Sequence, residues 1–468
     1  MNLSQISNGS ELVSHGNING RKKTLEILDS GLKAPNPYEN TKRIVRIEDG
    51  NLIIGDPVFA EPPGQEPVVF DLSTIQNIYI VGGGKSVQPT AKALEEVLGN
   101  RITDGHICIK KGDPVEVERI GVTLAGHPIP DEDSVAGARK ILAIEKNAKE
   151  GDIVFWCYSG GGTSLLALPA PGITLAEVQD VCQKLYFGKG ASMPETNAVR
   201  QLLTILRGKH PKYVRGAALV RILSDEHLPE KEFFHSSPLP GHEGGYARAR
   251  RVLEKYDLWN RVTGSIRDFI DRGDPQFLLP NEAELNQRPY YRYRVMGPEY
   301  MLTAARSKAA NMGLTSEIIA SGLNDIEARP AAEVLAKIAL ESEVKGTLFK
   351  PPCSFICGGE VVVATGEKEG IGGRNQEFVL WAAKLIAGSR NIVIASADSD
   401  GTDGATDVAG GIVDGYTMER IAGAGINLDR ELANHNSSEV LKMLDDRIYI
   451  NYNGANARDL RVFYIGDA

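Results

Sequence analysis

Two glycine runs carry the residues of this chain best suited to grip an anion. The first, Val81-Gly82-Gly83-Gly84-Lys85-Ser86, follows an apolar stretch at 75–81. It is not a P-loop, which needs a glycine five positions before its Gly-Lys-Ser, where Tyr79 stands. Nor is it a dinucleotide fingerprint, because Val87 takes the place of the third glycine. A lysine that opens a helix behind a parallel strand is still well placed for an anion, which the free N–H groups of a helix start attract. The competing reading is a solvated lysine beside a tight turn. The second run, Ser159-Gly160-Gly161-Gly162-Thr163-Ser164, also follows an apolar segment. Its glycines let the backbone approach a ligand, its amides can form an anion nest, and its hydroxyls add donors. Gly83, Gly84 and residues 159–164 are therefore the phosphate-binding candidates; a turn with glycine chosen for its dihedrals is the alternative. Ser159 lacks the Gly-x-Ser-x-Gly setting of a hydrolase nucleophile.

Further along, Gly372-Gly373-Arg374-Asn375-Gln376-Glu377 opens the apolar segment 378–383. The planar fork of Arg374 suits a carboxylate or phosphate. Asn375, Gln376 and Glu377 are expected to bind substrate or support the helix start, Glu377 by complementing the helix dipole. Asp398, Asp400, Asp403 and Asp407 crowd the segment after an apolar strand at 392–395. They lack the terminal glutamate of a calcium loop. Magnesium held by one or two carboxylates and by substrate phosphates fits better, as does a carboxylate that orients an attacking hydroxyl. Asp400 and Asp403 are metal candidates on that ground. Asp225 joins them because it ends the apolar segment 217–223, whose carboxyl end would face a ligand crevice. At least two of the four clustered aspartates are expected instead to cap turns or helix starts. Asn197 and Arg200 lie near a helix start and are candidate substrate contacts; an exposed arginine is the plain alternative for Arg200. His127 sits in the rigid loop Ala125-Gly-His-Pro-Ile-Pro-Asp131, and a lone histidine is more often structural.

The elements that must hold these residues alternate. Strands are expected at 75–81, 105–109, 120–124, 152–158 and 217–223, with helices from Lys85 to Leu98 and from Ser134 to Ala148. Strands alternating with helices imply βαβ units and a largely parallel sheet. The first two dozen residues read as a loose tail. The proline-punctuated stretch 277–300 reads as a boundary; after it come a helix at 301–312, strands at 353–356, 361–365 and 391–395, and a helix over most of 376–386.

Length and composition set the outer limits. A chain of 468 residues with 42% hydrophobic and 24% charged residues is read as a soluble globular protein of two domains. A net charge of -9 argues against nucleic acid or an anionic membrane as partner. The five cysteines read as structural thiols, so a reducing compartment is expected. No run approaches the roughly 20 apolar residues of a membrane span, and with no apolar signal core at the N-terminus the cytoplasm is the expected location.

Together these pieces resemble the glycerate 2-kinase family, whose C-terminal half is the domain called MOFRL. The likeness spans about residues 25–465 and rests on Val81–Lys85, Ala125–Asp131, Ser159–Gly162, Asn197–Arg200, Gly372–Glu377 and Asp400-Gly-Thr-Asp-Gly404, in that order. The resemblance implies an α/β fold: a Rossmann-like N-terminal domain, placed at 20–290, a smaller MOFRL-type α/β domain at 298–468, and an active site in the cleft between them. Family members phosphorylate D-glycerate at its 2-hydroxyl with ATP and a divalent cation, and some carry the label hydroxypyruvate reductase. The family's active-site lysine and arginine map onto Lys85 and Arg374. The expected partners are a small hydroxy acid and a nucleotide, and a homodimer is compatible with the sequence. Three segments depart from the family pattern: 226–238, 325–329 and 451–456. They keep two other readings open, a fold-retaining binding or regulatory protein and a hydroxypyruvate reductase.

Overall fold

The computed structural model describes residues 3–225, 245–366 and 370–467. The departure at 226–238 lies outside these. The described residues divide into two compact units, one built from 37–225 with 245–295 and the other from 3–36 with 296–366 and 370–467. The division at Val295/Met296 falls inside the proline-punctuated stretch. The first 36 residues belong with the C-terminal unit, whereas the sequence places those from 20 onward in the first domain.

The first unit opens with a small antiparallel sheet of β1 (Val45–Glu48), β2 (Asn51–Ile54) and β3 (Val68–Asp71). Its main sheet contains β4 (Ile78–Gly83), β5 (Ile102–Lys110), β6 (Gly121–Ala125), β7 (Ile153–Ser159), β8 (Ala218–Ser224) and β9 (Tyr290–Met296), in the order β6-β5-β4-β7-β8-β9. The pairings from β6 across to β8 are all parallel. β4, β7 and β8 are buried along their whole length, which is why they read as unbroken apolar runs. The helix Glu132–Asn147 packs Val135, Ala138 and Ile141 on this sheet and starts at a capping box of Asp131 and Ser134. The helices Leu175–Cys182, Met193–Leu203, Tyr246–Lys255 and Gly264–Arg272 bury a separate apolar cluster.

The second unit carries a mixed sheet of β10 (Thr315–Ala320), β11 (Cys353–Gly358), β12 (Ile392–Asp398), β13 (Gly410–Asp414), β14 (Arg447–Ile448) and β15 (Asp459–Ile465). Its order is β10-β11-β15-β12-β13-β14, with only β10 and β11 parallel. The helices Ile18–Lys33 and Pro298–Asn311 fill one face of the sheet, and Ala328–Lys345 and Arg374–Leu385 the other.

Several expectations need correction. Residues 85–87 form a turn, and the helix begins at Gln88, where Pro89 suits the first turn. Residues 361–365 are not a strand: Gly359, at φ +103°, ends β11, and Val362 makes only an isolated bridge to Glu327. Residues 277–300 are no simple linker, since β9 joins the parallel sheet. The N-terminal segment is not loose. Asp29 accepts the amides of Ser4, Gln5 and Ile6 at 3.0, 2.7 and 2.9 Å, and Asn8 donates to the Arg447 carbonyl at 2.8 Å. Arg21 lies fully buried between Asp414 and Asp446, and His15 also reaches Asp446. The five cysteines are free and buried. Among the described residues no helix is long and apolar enough to cross a membrane.

Candidate functional site

In the first unit the sheet topology explains the glycine loops. The chain lays down β4, β5 and β6 outward in one direction and then returns to place β7 on the other side of β4. The strand order therefore reverses between β4 and β7, and ligands of such sheets bind outside the strand ends at this reversal. Gly83 pairs in register with Tyr158, and Ser159 with Ser224, so the Gly84–Lys85 turn, the Ser159–Ser164 loop and Ser224–Asp225 project from adjacent strand ends.

The two loops are laced together. The Lys85 amide donates to the Gly160 carbonyl at 2.8 Å and the Ser86 amide to Ser159 Oγ at 2.9 Å. Gly84 is required, because a Cβ there would stand 2.0 Å from Ser159 Oγ. Gly161 has φ +86°, and its Cβ would meet Lys85 and His127, each at 3.0 Å. The Lys85 side chain is exposed and ion-paired to no described residue. His127 is pushed down to about 4 by burial first and then by Lys85, Lys110 and Arg200, and is therefore neutral near pH 7. Asn197 and Arg200 belong to the same neighbourhood. Arg200 is buried rather than exposed; it donates to Ser164 Oγ at 2.9 Å and to Asn197 Oδ1 at 2.7 Å, and Ser164 Oγ donates to the Pro128 carbonyl at 2.6 Å. The loop is thus tied to the His127–Pro128 segment beside it. The arrangement suits a phosphate or carboxylate: a glycine backbone that a ligand can approach closely, hydroxyls, and the cations Lys85 and Arg200 beside it.

In the second unit Arg374 opens the helix Arg374–Leu385 at the ends of three neighbouring strands. Asp398, the last residue of β12, pairs in register with Asp459, the first of β15, while Glu360 lies just past β11. All three carboxylates converge on the guanidinium. Asp459 takes Nε at 2.9 Å and Nη2 at 2.9 Å, Glu360 takes Nη2 at 2.9 Å, and Asp398 takes Nη2 as well. Burial opposes the arginine's charge, but Asp459, Asp398 and Glu360 outweigh it and hold Arg374 firmly protonated. Its Nη1 has no partner among the described residues and remains to reach a ligand. Asp398 lies well above the ordinary carboxylate range, through burial and the charges of Asp459 and Asp400. Asp459 was not singled out from the sequence; its one signal is an aspartate opening a strand whose only other charged residue is Arg461.

The neighbouring polar residues serve the helix. Asn375 donates to Asp459 Oδ1 at 2.9 Å, and Glu377 meets His435 Nδ1 at 2.7 Å. Asp403 accepts the amides of Asn375 at 3.1 Å and Gln376 at 2.9 Å, so it caps the helix from a distant loop. Asp400 closes a turn on Thr402 at 2.9 Å. Of the metal candidates, Asp400 and Asp403 thus bond backbone amides, and Asp225 lies in the first unit. Among the described residues no three His, Cys, Asp or Glu side chains gather as a ready metal cage; magnesium held by one or two carboxylates and by substrate phosphates would not need one. Of the departing segments, 451–456 is fixed by the Asn451 amide on the Gln5 carbonyl at 2.7 Å, and Arg329 stacks on Trp381 at 4.5 Å.

These features define a two-unit α/β protein: a parallel-sheet unit with two laced glycine loops at its strand reversal and a mixed-sheet unit that presents a clamped arginine. Residues 23–271 match the family described as a domain of unknown function (DUF4147), and residues 353–459 match the MOFRL family. The chain is 33% identical to glycerate 2-kinase of Pyrococcus horikoshii over 94% of its own length and 96% of that protein. It is 33% identical to D-glycerate 2-kinase of Thermotoga maritima over 82% of its length and 90% of that protein. The crystal structure of a Thermotoga maritima glycerate kinase superposes with a TM-score of 0.79 at 29% identity, covering 95% of this chain and 99% of that one. The chain belongs to the glycerate 2-kinase family of DUF4147–MOFRL proteins.

Proposed function

We propose that the protein is an ATP-dependent kinase that phosphorylates the 2-hydroxyl of D-glycerate or a closely related small hydroxy acid. The observation that carries this reading is the pairing of Lys85 with the Ser159–Ser164 loop at the reversal of the parallel sheet, in a chain whose relatives are named glycerate kinases. Phosphoryl transfer asks mainly for positioning and for cations against the charge of the transferring group. The acceptor hydroxyl oxygen forms a bond to the γ-phosphorus as the bond to the β-phosphate oxygen breaks; ADP leaves and the hydroxyl proton is released. In this reading Lys85 and the loop amides hold phosphate oxygens. Arg374, pinned by three carboxylates, offers Nη1 to a carboxylate or phosphate. A divalent cation would accompany the nucleotide phosphates, and no step is assigned to it.

The test is ADP release over a panel of hydroxy acids, with and without chelator, for the wild type and for Lys85→Ala and Arg374→Ala. The expected result is turnover with D-glycerate and a loss of about 10²-fold or more in each variant. Variants that match the wild-type rate would overturn the assignment of the two side chains; a wild type silent on the whole panel would overturn the kinase reading.

A further inference from the structure

Arg207 stands outside everything assigned so far. It lies four residues past the helix Met193–Leu203, is 3% exposed, and among the described residues bonds only the Tyr158 hydroxyl, reached from Nε at a long 3.4 Å. Its Nη1 is buried with nothing to bond. Arg200, also buried, leaves its Nε without a partner. Neither guanidinium meets a carboxylate among the described residues, although each buried charge calls for one. Arg200 is held below its ordinary range, by burial first, with Arg207 adding to the effect. Nearby Lys209 differs: its ammonium closes the helix end by donating to the carbonyls of Gln201 at 2.9 Å and Thr204 at 2.6 Å, so its place has a structural reason.

Both arginines are connected to the glycine loop. Arg200 donates to Ser164, and the Tyr158 ring that Arg207 reaches lies under Gly162, whose Cβ would come within 2.5 Å of it. We propose that Arg200 and Arg207 form a buried pair behind the Ser159–Ser164 loop that recognises an oxyanion, either the carboxylate of the hydroxy acid or a phosphate of the nucleotide. The proposal rests on the kinase reading for the identity of those two sources. Two guanidiniums that meet no carboxylate in a dry setting are costly unless an anion arrives to pair with them, and together they bind carboxylate or phosphate oxygens through forked, charge-assisted bonds.

The experiment is a thermal-shift titration of the full chain with inorganic phosphate and, separately, with D-glycerate, for the wild type, Arg207→Met and Arg207→Lys. Michaelis constants for ATP and for the acid are measured in parallel. The wild type is expected to be stabilised by at least one of the two anions. Arg207→Met should lose about ten-fold or more in affinity for it, with Arg207→Lys intermediate. The unliganded Arg207→Met protein should melt at the wild-type temperature or higher, because an uncompensated buried charge has gone. A selective rise in the Michaelis constant for the acid identifies the carboxylate; a selective rise for ATP identifies the phosphate. Wild-type affinity for both anions in Arg207→Met, a lowered melting temperature with binding unchanged, or a wild type that binds neither anion would overturn the pair. A wild type without turnover whose anion-induced shift is lost in Arg207→Met sinks the kinase reading and leaves the pair standing; turnover with unchanged constants in Arg207→Met sinks the pair alone.

Discussion

At the scale of single residues, the sequence marks Arg374 but conceals why it is held. Its clamp comes from three strands distant in sequence, and the pairing of Asp398 with Asp459 is a property of register that no local pattern carries. Arg374→Ala removes the cation from a buried carboxylate cluster. The expected cost is about 2 kcal/mol, below the roughly 3–5 of a fully buried pair because a quarter of the side chain is exposed. The cost should also depend on pH. Arg374 pulls the Asp398 carboxyl down, so its loss raises a group already above its unfolded-state value. A carboxyl raised in the folded state stabilises at low pH, and that contribution is lost as pH rises through the folded value. The stability gap between variant and wild type should therefore widen from pH 5 to pH 8 in urea titrations; a constant gap would show that the cluster does not titrate. Gly161→Ala makes a second residue-scale prediction. With φ +86° and Lys85 and His127 both at 3.0 Å from the new Cβ, it should impair activity more than it lowers the melting temperature.

At the scale of elements, the periodic segments were legible and the caps only in part. The buried strands and the helix beginning after Asp131 follow from apolar runs and from residues that favour helix starts. The Asp131 carboxyl is held down at about 2: burial would raise it, but bonds from Lys111 and from the Ser134 and Gly126 amides outweigh that. Asp131→Ala should cost about 1 kcal/mol near pH 7. Because the carboxyl is lowered on folding, the loss should vanish as pH falls from about 4 towards 2, which acid unfolding followed by circular dichroism would show. That some of the clustered aspartates cap was legible, and Asp400 and Asp403 do, but the helix that Asp403 serves was not, since this aspartate lies 28 positions beyond the amide it accepts. A helix capped by its own preceding residue leaves a sequence signature, whereas one capped across the fold does not. Asp403→Ala should therefore fray the start of Arg374–Leu385, seen as faster amide exchange at Asn375 and Gln376.

At the scale of the whole molecule, the reading of the first two dozen residues as a tail failed because their partners lie some 400 positions away. A polar segment looks unstructured until Asp414 and Asp446 are there to receive Arg21. Arg21→Ala leaves two buried aspartates without their cation and should destabilise the C-terminal unit by about 3 kcal/mol or more. Hydrogen exchange should report that loss in β12 to β15 and leave β4 to β8 as protected as in the wild type.

The place of β15 carries a consequence for how the protein is made. Among the described residues it is the last strand, yet it lies between β11 and β12 in the middle of its sheet. On the ribosome residues 3–36 emerge before the rest of their unit, and the central strand of the sheet they pack against emerges after the other described strands of that sheet. Residues 37–295 are translated in one stretch and have all their sheet partners in hand by then. The opening segment meets Asp414, Asp446 and Arg447 before that, but the sheet face it packs on is complete only when residue 465 is out. A ribosome stalled before residue 459 should hold a protease-resistant N-terminal sheet and an opening segment still open to cleavage.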